Sequence, residues 1–274
     1  MNEAIISWLK DHGIKIVIII LLAIVVDRLI DRYADKAIGR FVVRKQKNRD
    51  AREIKERAKT LSNVFNTTST LVLSVIVLLM ILPEVGIEIA PLLAGAGIIG
   101  LAIGFGSQNL VRDFLSGLFI IIEDQYGIGD VVKIGDKSGV VESLNLRRTV
   151  LRDLDGIQHH IPNSEIKTAS NLTKDWSRIN LDVPVSSSAD PDQVVGLLNK
   201  ISQELHQDPE YRDFFLEAPT VLGLDKFEGS VIVFKILGKT KSIRQWDLTR
   251  ELRKRIKKEF DQARIESPFS KQAK

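Results

Sequence analysis

The sequence predicts an α-helical membrane protein with three helices per subunit, followed by a small β-domain and an α/β domain. Three observations carry this. Apolar residues (44%) and charged residues (27%) are ordinary on average but segregated, with three long apolar runs in the first 122 residues and a soluble pattern after them. Two of the runs, Thr60–Pro83 and Ile89–Val111, contain no charge and exceed the ~20 residues that a helix needs to cross a bilayer. After Glu123-Asp124 the apolar residues come in short β-branched runs set off by turn dipeptides, then in strand and helix periods. The expected division is a transmembrane region 1–126, a β-domain 127–177, an α/β domain 178–266 and a short polar tail 267–274.

The helices are expected at about 13–32, 60–83 and 89–124. The first run, Ile16–Val26, is wholly apolar but short, between Lys15 and Asp27-Arg28. A signal peptide has such a core, but no basic leader precedes it and no small-x-small cleavage site follows. A helix in which Lys15 reaches back to the interface accounts for the same residues. The loops set the orientation. Asp31–Lys59 holds eleven Lys/Arg against five Asp/Glu, whereas "EVGIEIA" between the second and third runs holds only Glu84 and Glu88. Cytoplasmic loops are the basic ones. The chain therefore crosses three times, with its N-terminus outside and everything after about residue 122 in the cytoplasm. The stretch "RKQKNRDAREIKERAK" could contact RNA or anionic lipid. The interleaved acids and the lack of stacking aromatics favour a charged helical hairpin that sets topology and touches headgroups.

Within the third run, Gly95-Ala96-Gly97-Ile98-Ile99-Gly100 matches the dinucleotide-binding fingerprint letter for letter. That fingerprint requires a strand before the first glycine and a βαβ unit around it. Here Pro91 precedes it within a membrane-length apolar run, so the nucleotide reading fails. Glycine and alanine also let helices approach closely in lipid, where no hydrophobic effect drives association. Ala94, Gly95, Ala96, Gly97, Gly100, Ala102, Gly104 and Gly106 lie on more than one side of the helix, and Gly100 and Gly104 form a GxxxG pair. Such a helix suits a place between two neighbours, as in a ring of identical helices. Leu101 and Phe105, four apart, share one face. Ala94 and Gly97 continue that face upward, and Gln108 and Arg112 continue it downward. A ring of bulky apolar side chains at a narrowing is a dewetting gate. The same pattern also fits Leu101 and Phe105 facing lipid or another helix.

In the β-domain, Gly135-Asp136 and Asp155-Gly156 read as hairpin turns. A nucleic-acid-binding barrel would need stacking aromatics, which are missing. His159 and His160 are adjacent on a strand, so they point to opposite faces and do not make a metal site. In the α/β domain Arg178–Val185 reads as a strand. Asp190-Pro191 opens a helix with the stripe Val194, Leu197, Leu198, Ile201 and Leu205. "SVIVFKIL" (230–237) reads as a buried strand, and Leu248, Leu252, Ile256 and Phe260 mark a last helix. Trp246 is read as a core or interface anchor.

There is no cysteine, so disulfides and thiolate metal sites are excluded. The net charge of +4 gives no argument for nucleic acid. No acid–base or nucleophile constellation emerges, and neither an enzyme activity nor a cofactor or metal is expected. A secondary transporter would show repeats and intramembrane charges. A membrane-anchored oligomeric scaffold without conductance is the alternative, but it gives no reason for a third helix that is small on several sides.

The segment "GLAIGFGSQNLVRDFLSGLFIIIEDQYGIGDVVKIG...GVVESL", with "IPNSEI" (161–166) and "NLTKDWS" (171–177), resembles the small-conductance mechanosensitive channel (MscS-type) family, from about Pro91 to about Ile265. The resemblance implies an ion channel opened by membrane tension, releasing ions and small osmolytes on hypo-osmotic shock. It implies a homoheptamer in a bacterial-type inner membrane, whose third helices line the pore while the first two form a lipid-facing paddle. It also implies a β-domain of Sm-like barrel form and a ferredoxin-like α/β domain. Leu101 and Phe105 fall at the family's pore constriction, where leucines are usual, so Phe105 is a departure. Gln108 and Arg112 fall at the inner mouth. The helix is expected to bend near 108–117, at Asn109 and Gly117, with Asn109 standing where the family has glycine. "SPFSKQAK" departs from the Pro-aromatic-Pro segment that leads into a closing barrel, so that barrel is expected to be missing or short.

Overall fold

The computed structural model describes residues 9–45 and 51–265. The middle of the basic stretch (46–50) and the expected polar tail (267–274) lie outside the described residues. The described residues form two compact units, one within residues 1–106 and one from residue 107 onward.

In the first unit a π-helical turn, Leu9–Gly13, leads into helix α1 (Ile14–Lys45), which pairs with helix α2 (Ala51–Ile81). Both are longer than their apolar runs. The run length marks the hydrocarbon, whereas the helix continues through charged residues of good helix propensity at four-residue steps, such as Arg28, Arg32, Lys36 and Arg40. The pairing is fastened by polar contacts at three levels. Lys15 Nζ lies 3.5 Å from Glu84 Oε2. Thr70 Oγ1 donates to Asp27 Oδ1 at 2.8 Å, and Asn66 Nδ2 donates to Asp35 Oδ1 at 3.3 Å. Other hydroxyls in α2 are satisfied within the helix, Thr68, Ser69 and Ser74 each donating to the carbonyl four residues back. A 3₁₀ turn (Leu82–Val85) and left-handed Gly86 (φ +82°) end the segment before helix α3 (Ala90–Ile122). Among the described residues two helical stretches, Arg52–Val85 and Ala90–Ile122, are long and apolar enough to cross a membrane. The first helix, whose apolar run is bounded by Lys15 and by Asp27 and Arg28, is not one of them.

In the second unit, strands β1 (Val131–Ile134), β2 (Lys137–Leu144), β3 (Arg148–Arg152), β4 (Gln158–Pro162) and β5 (Ala169–Asn171) form an antiparallel sheet of order β4-β3-β2-β1-β5. Gly135-Asp136 makes the two-residue turn between β1 and β2, with Gly135 at φ +59°. Asp153 holds the β3–β4 loop by accepting the amides of Asp155 (3.0 Å) and Ile157 (2.8 Å), and Gly156 supplies a positive φ there. His159 Nε2 is taken up by Asp153 Oδ2 at 2.8 Å, and that contact holds the Asp153 carboxyl below its ordinary value.

Strands β6 (Ser177–Ser186), β7 (Phe215–Glu228) and β8 (Val231–Thr240) form a second sheet of order β6-β8-β7, with helices α4 (Pro191–Gln207) and α5 (Gln245–Gln262). This β-α-β-β-α run is the ferredoxin-like arrangement. Asp190 caps α4 by accepting the Asp192 amide at 2.9 Å, with Pro191 at the first helical position. One core joins the alternate residues of β6 (Ile179, Leu181, Val183, Val185), the α4 stripe and the α5 row Leu248, Leu252, Ile256 and Phe260. Leu197 of the expected stripe packs at its margin, partly buried, and Trp246 is 38% exposed.

Candidate pore helix and its seat on the β-domain

The upper part of α3 presents apolar surface that is exposed among the described residues. Leu101 is 64% and Phe105 74% exposed, and Ile98, Ile99 and Ile103 are exposed beside them. Among the described residues, a Cβ placed on Gly95, Gly97, Gly100, Gly104 or Gly106 meets no atom within 4 Å. Among the described residues these positions therefore have room for a side chain. In a soluble protein so much exposed apolar helix would be a liability. In lipid it is the expected solvent face, and the small residues leave room for another backbone.

The lower part of α3 is held. Its buried residues are Asp113, Gly117 and Ile120, which share one helical face. Ile120 enters the β-domain core beside Tyr126, Val132, Ile134, Val141 and Leu151. Asp113 Oδ1 accepts the backbone N–H of Ser164 at 2.8 Å. Ser164 lies in the 3₁₀ turn Asn163–Glu165, so the carboxylate meets the amide end of that turn. Gly117 lies where no side chain fits, since a Cβ there would stand 2.3 Å from both Asn163 Nδ2 and the Leu146 carbonyl oxygen. The helix runs unbroken through Asn109 and Gly117. Gln108, Asn109 and Arg112 are exposed on it.

Beneath Gly117 runs a buried chain of hydrogen bonds. Asn163 is fully buried; its Nδ2 donates to the Asn145 carbonyl at 2.8 Å, and its Oδ1 accepts from Thr149 Oγ1 at 3.0 Å. Thr149 has one hydroxyl proton, already given to Asn163, so Tyr126 donates to Thr149 across their 3.0 Å contact. Burial raises the Tyr126 phenol above its ordinary value, which keeps that donor proton in place. The segment after α3 is tied down by residues of "NLTKDWS" (171–177). Lys174 pairs with Asp124 at 2.9 Å, Asn171 Nδ2 donates to Asp130 Oδ2 at 2.8 Å, and Thr173 Oγ1 accepts the Val131 amide at 2.9 Å.

Asn163→Ala removes the acceptor of the buried Thr149 hydroxyl and the donor to the part-buried Asn145 carbonyl. At 1–3 kcal/mol for each unsatisfied group, the expected loss is about 3 kcal/mol. Thermal melting of the detergent-solubilised chain checks this, and an unchanged melting temperature contradicts the network.

The sequence pointed to Gly117 but not to its partners. Asp113, Asn163, Thr149 and Tyr126 were not among the expected site residues. The only available signal was a charged residue at the end of an apolar run and a Pro-Asn pair after a strand. The expected site residues of α3 fall in two environments. Leu101, Phe105 and the glycines through Gly106 lie on the uncovered part, and Gly117 lies on the seated part.

Three sequence profiles match consecutive parts of the chain: "Mechanosensitive ion channel, transmembrane helices 2/3" over 67–108, "Mechanosensitive ion channel, beta-domain" over 109–174, and "Mechanosensitive ion channel MscS, C-terminal" over 179–267. A small-conductance mechanosensitive channel of Caldanaerobacter subterraneus subsp. tengcongensis is 42% identical over 69% of this chain and 66% of its own length. The moderate conductance mechanosensitive channel YbiO of Escherichia coli is 34% identical over 77% of this chain but only 29% of its own length. Among solved structures, the closed-state crystal structure of Helicobacter pylori MscS superposes with a TM-score of 0.62 at 21% identity, covering 92% of this chain and 95% of that one. That likeness is one of fold.

Proposed function

The chain belongs to the mechanosensitive ion channel family, and from this we propose that it is a membrane-tension-gated ion channel assembled from identical copies, seven in number. The observation that carries the reading is α3 itself. Its upper part is apolar and exposed, and its glycines have open space where a side chain would be. Copies of α3 packed through these faces would enclose a pore with Leu101 and Phe105 at its constriction and Gln108 and Arg112 at its inner mouth.

The gating scheme follows from area. Tension favours the state with the larger in-plane area, and a stimulus shifts an equilibrium only by its differential interaction with the two states. The paired helices α1 and α2 tilt, neighbouring α3 helices slide along their Gly/Ala faces, and the Leu101 and Phe105 rings separate and wet. The bend of α3 at Asn109 and Gly117 belongs to the gating motion, since the helix runs unbroken through both here, and Gly117 also seats α3 on the β-domain. Opening releases ions and small osmolytes on hypo-osmotic shock. The membrane is a bacterial-type inner membrane, crossed three times, with the N-terminus outside and the β- and α/β-domains in the cytoplasm. The basic segment 31–59 against the acidic 84–90 loop supports that orientation.

Oligomer mass in detergent tests the assembly. A particle near seven times the 30.7 kDa chain is expected, and a monomer under conditions that preserve folding removes the pore.

A further inference from the structure

Helix α1 carries two rows of opposite charge where it leaves its apolar run, and the two rows have different fates. The acids Asp27, Asp31 and Asp35, four apart, form one row. Asp27 accepts from Thr70 and Asp35 from Asn66, both on α2. By the antiparallel register these contacts define, Asp31 stands opposite Thr68 between them, and its Oδ1 is buried without a hydrogen-bond partner among the described residues. The bases Arg28, Arg32, Lys36 and Arg40, one position further on at each step, form the other row. All four are exposed. Among the described residues none of the four has an ion-pair or hydrogen-bond partner, although an acid precedes three of them directly in sequence.

On other helices of the chain several basic residues do find acids along their own helix. Lys200, Arg250, Lys254 and Lys257 all reach carboxylates three or four residues away on their own helices. On α1 Asp27 and Asp35 instead turn to the hydroxyl and amide of α2, leaving an outward basic row about 18 Å long at 1.5 Å per residue. The row begins two residues beyond Val26, the end of the apolar run, so it lies at the level of a bilayer interface, not in free solution. We propose that Arg28, Arg32, Lys36 and Arg40 form a docking row for anionic phospholipid headgroups of the membrane that α1 crosses. The proposal rests on the membrane-spanning reading of this helix. Phosphate oxygens supply the acceptors that the row lacks, and the guanidinium groups suit them geometrically. The row would then hold the α1–α2 pair at a fixed depth in the leaflet while tension acts on it.

The test uses the full chain purified in detergent, mixed with equal phosphatidylglycerol and phosphatidylcholine, with bound lipids read by native mass spectrometry. The wild type is expected to retain phosphatidylglycerol preferentially. At the strength typical of one basic residue near an anionic surface, R32Q alone should cut that preference about fivefold, and R28Q/R32Q/K36Q/R40Q should abolish it. The matched variant K200Q/R250Q/K254Q/K257Q, which removes the same charge from paired sites, should keep it. Wild-type preference in the first quadruple variant, or equal loss in the second, overturns the proposal. An RNA oligonucleotide that displaces the lipid at matched phosphate concentration, with the same dependence on the row, also overturns it by reassigning the surface to a soluble polyanion. Alkaline carbonate extraction of membranes separates the two failures. A protein that washes off sinks the spanning reading together with the row, whereas one that stays but shows no lipid preference sinks the row alone.

Discussion

Leu101→Ser lowers the membrane tension needed for opening. Leu101 is 64% exposed on an apolar helix whose glycine faces leave room for neighbours. In the proposed ring of copies its side chain would add apolar surface to the narrowest part of the pore, and such a ring excludes water until it widens. Removing the isobutyl group takes away about 2 kcal/mol of apolar surface per copy, and the effect multiplies around the ring. The added hydroxyl offers water a partner. In patches the pressure threshold should fall well outside patch-to-patch scatter, with spontaneous openings at rest. Leu101→Ile, which keeps the apolar volume, should stay close to the wild type. An unchanged threshold in the serine variant removes Leu101 from the gate.

Gly117→Ala and Gly100→Ala are expected to differ, although the substitution is the same. At Gly117 the new methyl group stands 2.3 Å from the Leu146 carbonyl oxygen, a backbone atom that cannot swing away, and as close to Asn163 Nδ2. Either the helix lifts off the β-domain or the Leu146–Asn163 floor moves, at an overpacking cost of about 1–3 kcal/mol. Lifting would also draw Ile120 from the core and lengthen the Asp113–Ser164 contact. Hydrogen exchange should accelerate at Ser164 and along β3. At Gly100 nothing among the described residues opposes the methyl group, and the gain in helix propensity is up to about 1 kcal/mol. Gly100→Ala should leave the fold of one chain intact and act only on assembly and gating. Equal destabilisation by both substitutions would mean that the two glycines do not serve different ends.

The sequence made the architecture legible because each element repeats a local period. The α4 and α5 stripes, the alternation of β6 and the turn at Gly135-Asp136 are all readable within windows of a few residues. The seat of α3 was not readable in that way. Asp113 meets Ser164 across 51 positions and Gly117 meets Asn163 across 46, and neither pairing leaves a periodic trace. The extent of α1 was underestimated for a different reason. Apolar length reports where the hydrocarbon ends, whereas the helix continues through the charged rows 27–31–35 and 28–32–36–40. The inward turn of the acids was equally hidden, since it depends on Asn66 and Thr70 lying opposite, and polar residues in a charge-free run look unremarkable alone. The glycines of the false nucleotide fingerprint show the converse. Sequence context sufficed to reject the phosphate loop, because Pro91 and a membrane-length apolar run stand where a strand is required.

The central claim is that tension opens a pore lined by α3 helices packed through their glycine faces. Recording from patches of vesicles containing only the purified full chain, under stepped suction, tests it most directly. The account requires discrete conductance steps that appear above a threshold of suction and disappear on its release, with the threshold lowered in Leu101→Ser. Vesicles that contain the assembled protein yet stay silent up to patch rupture, in both wild type and variant, would contradict it.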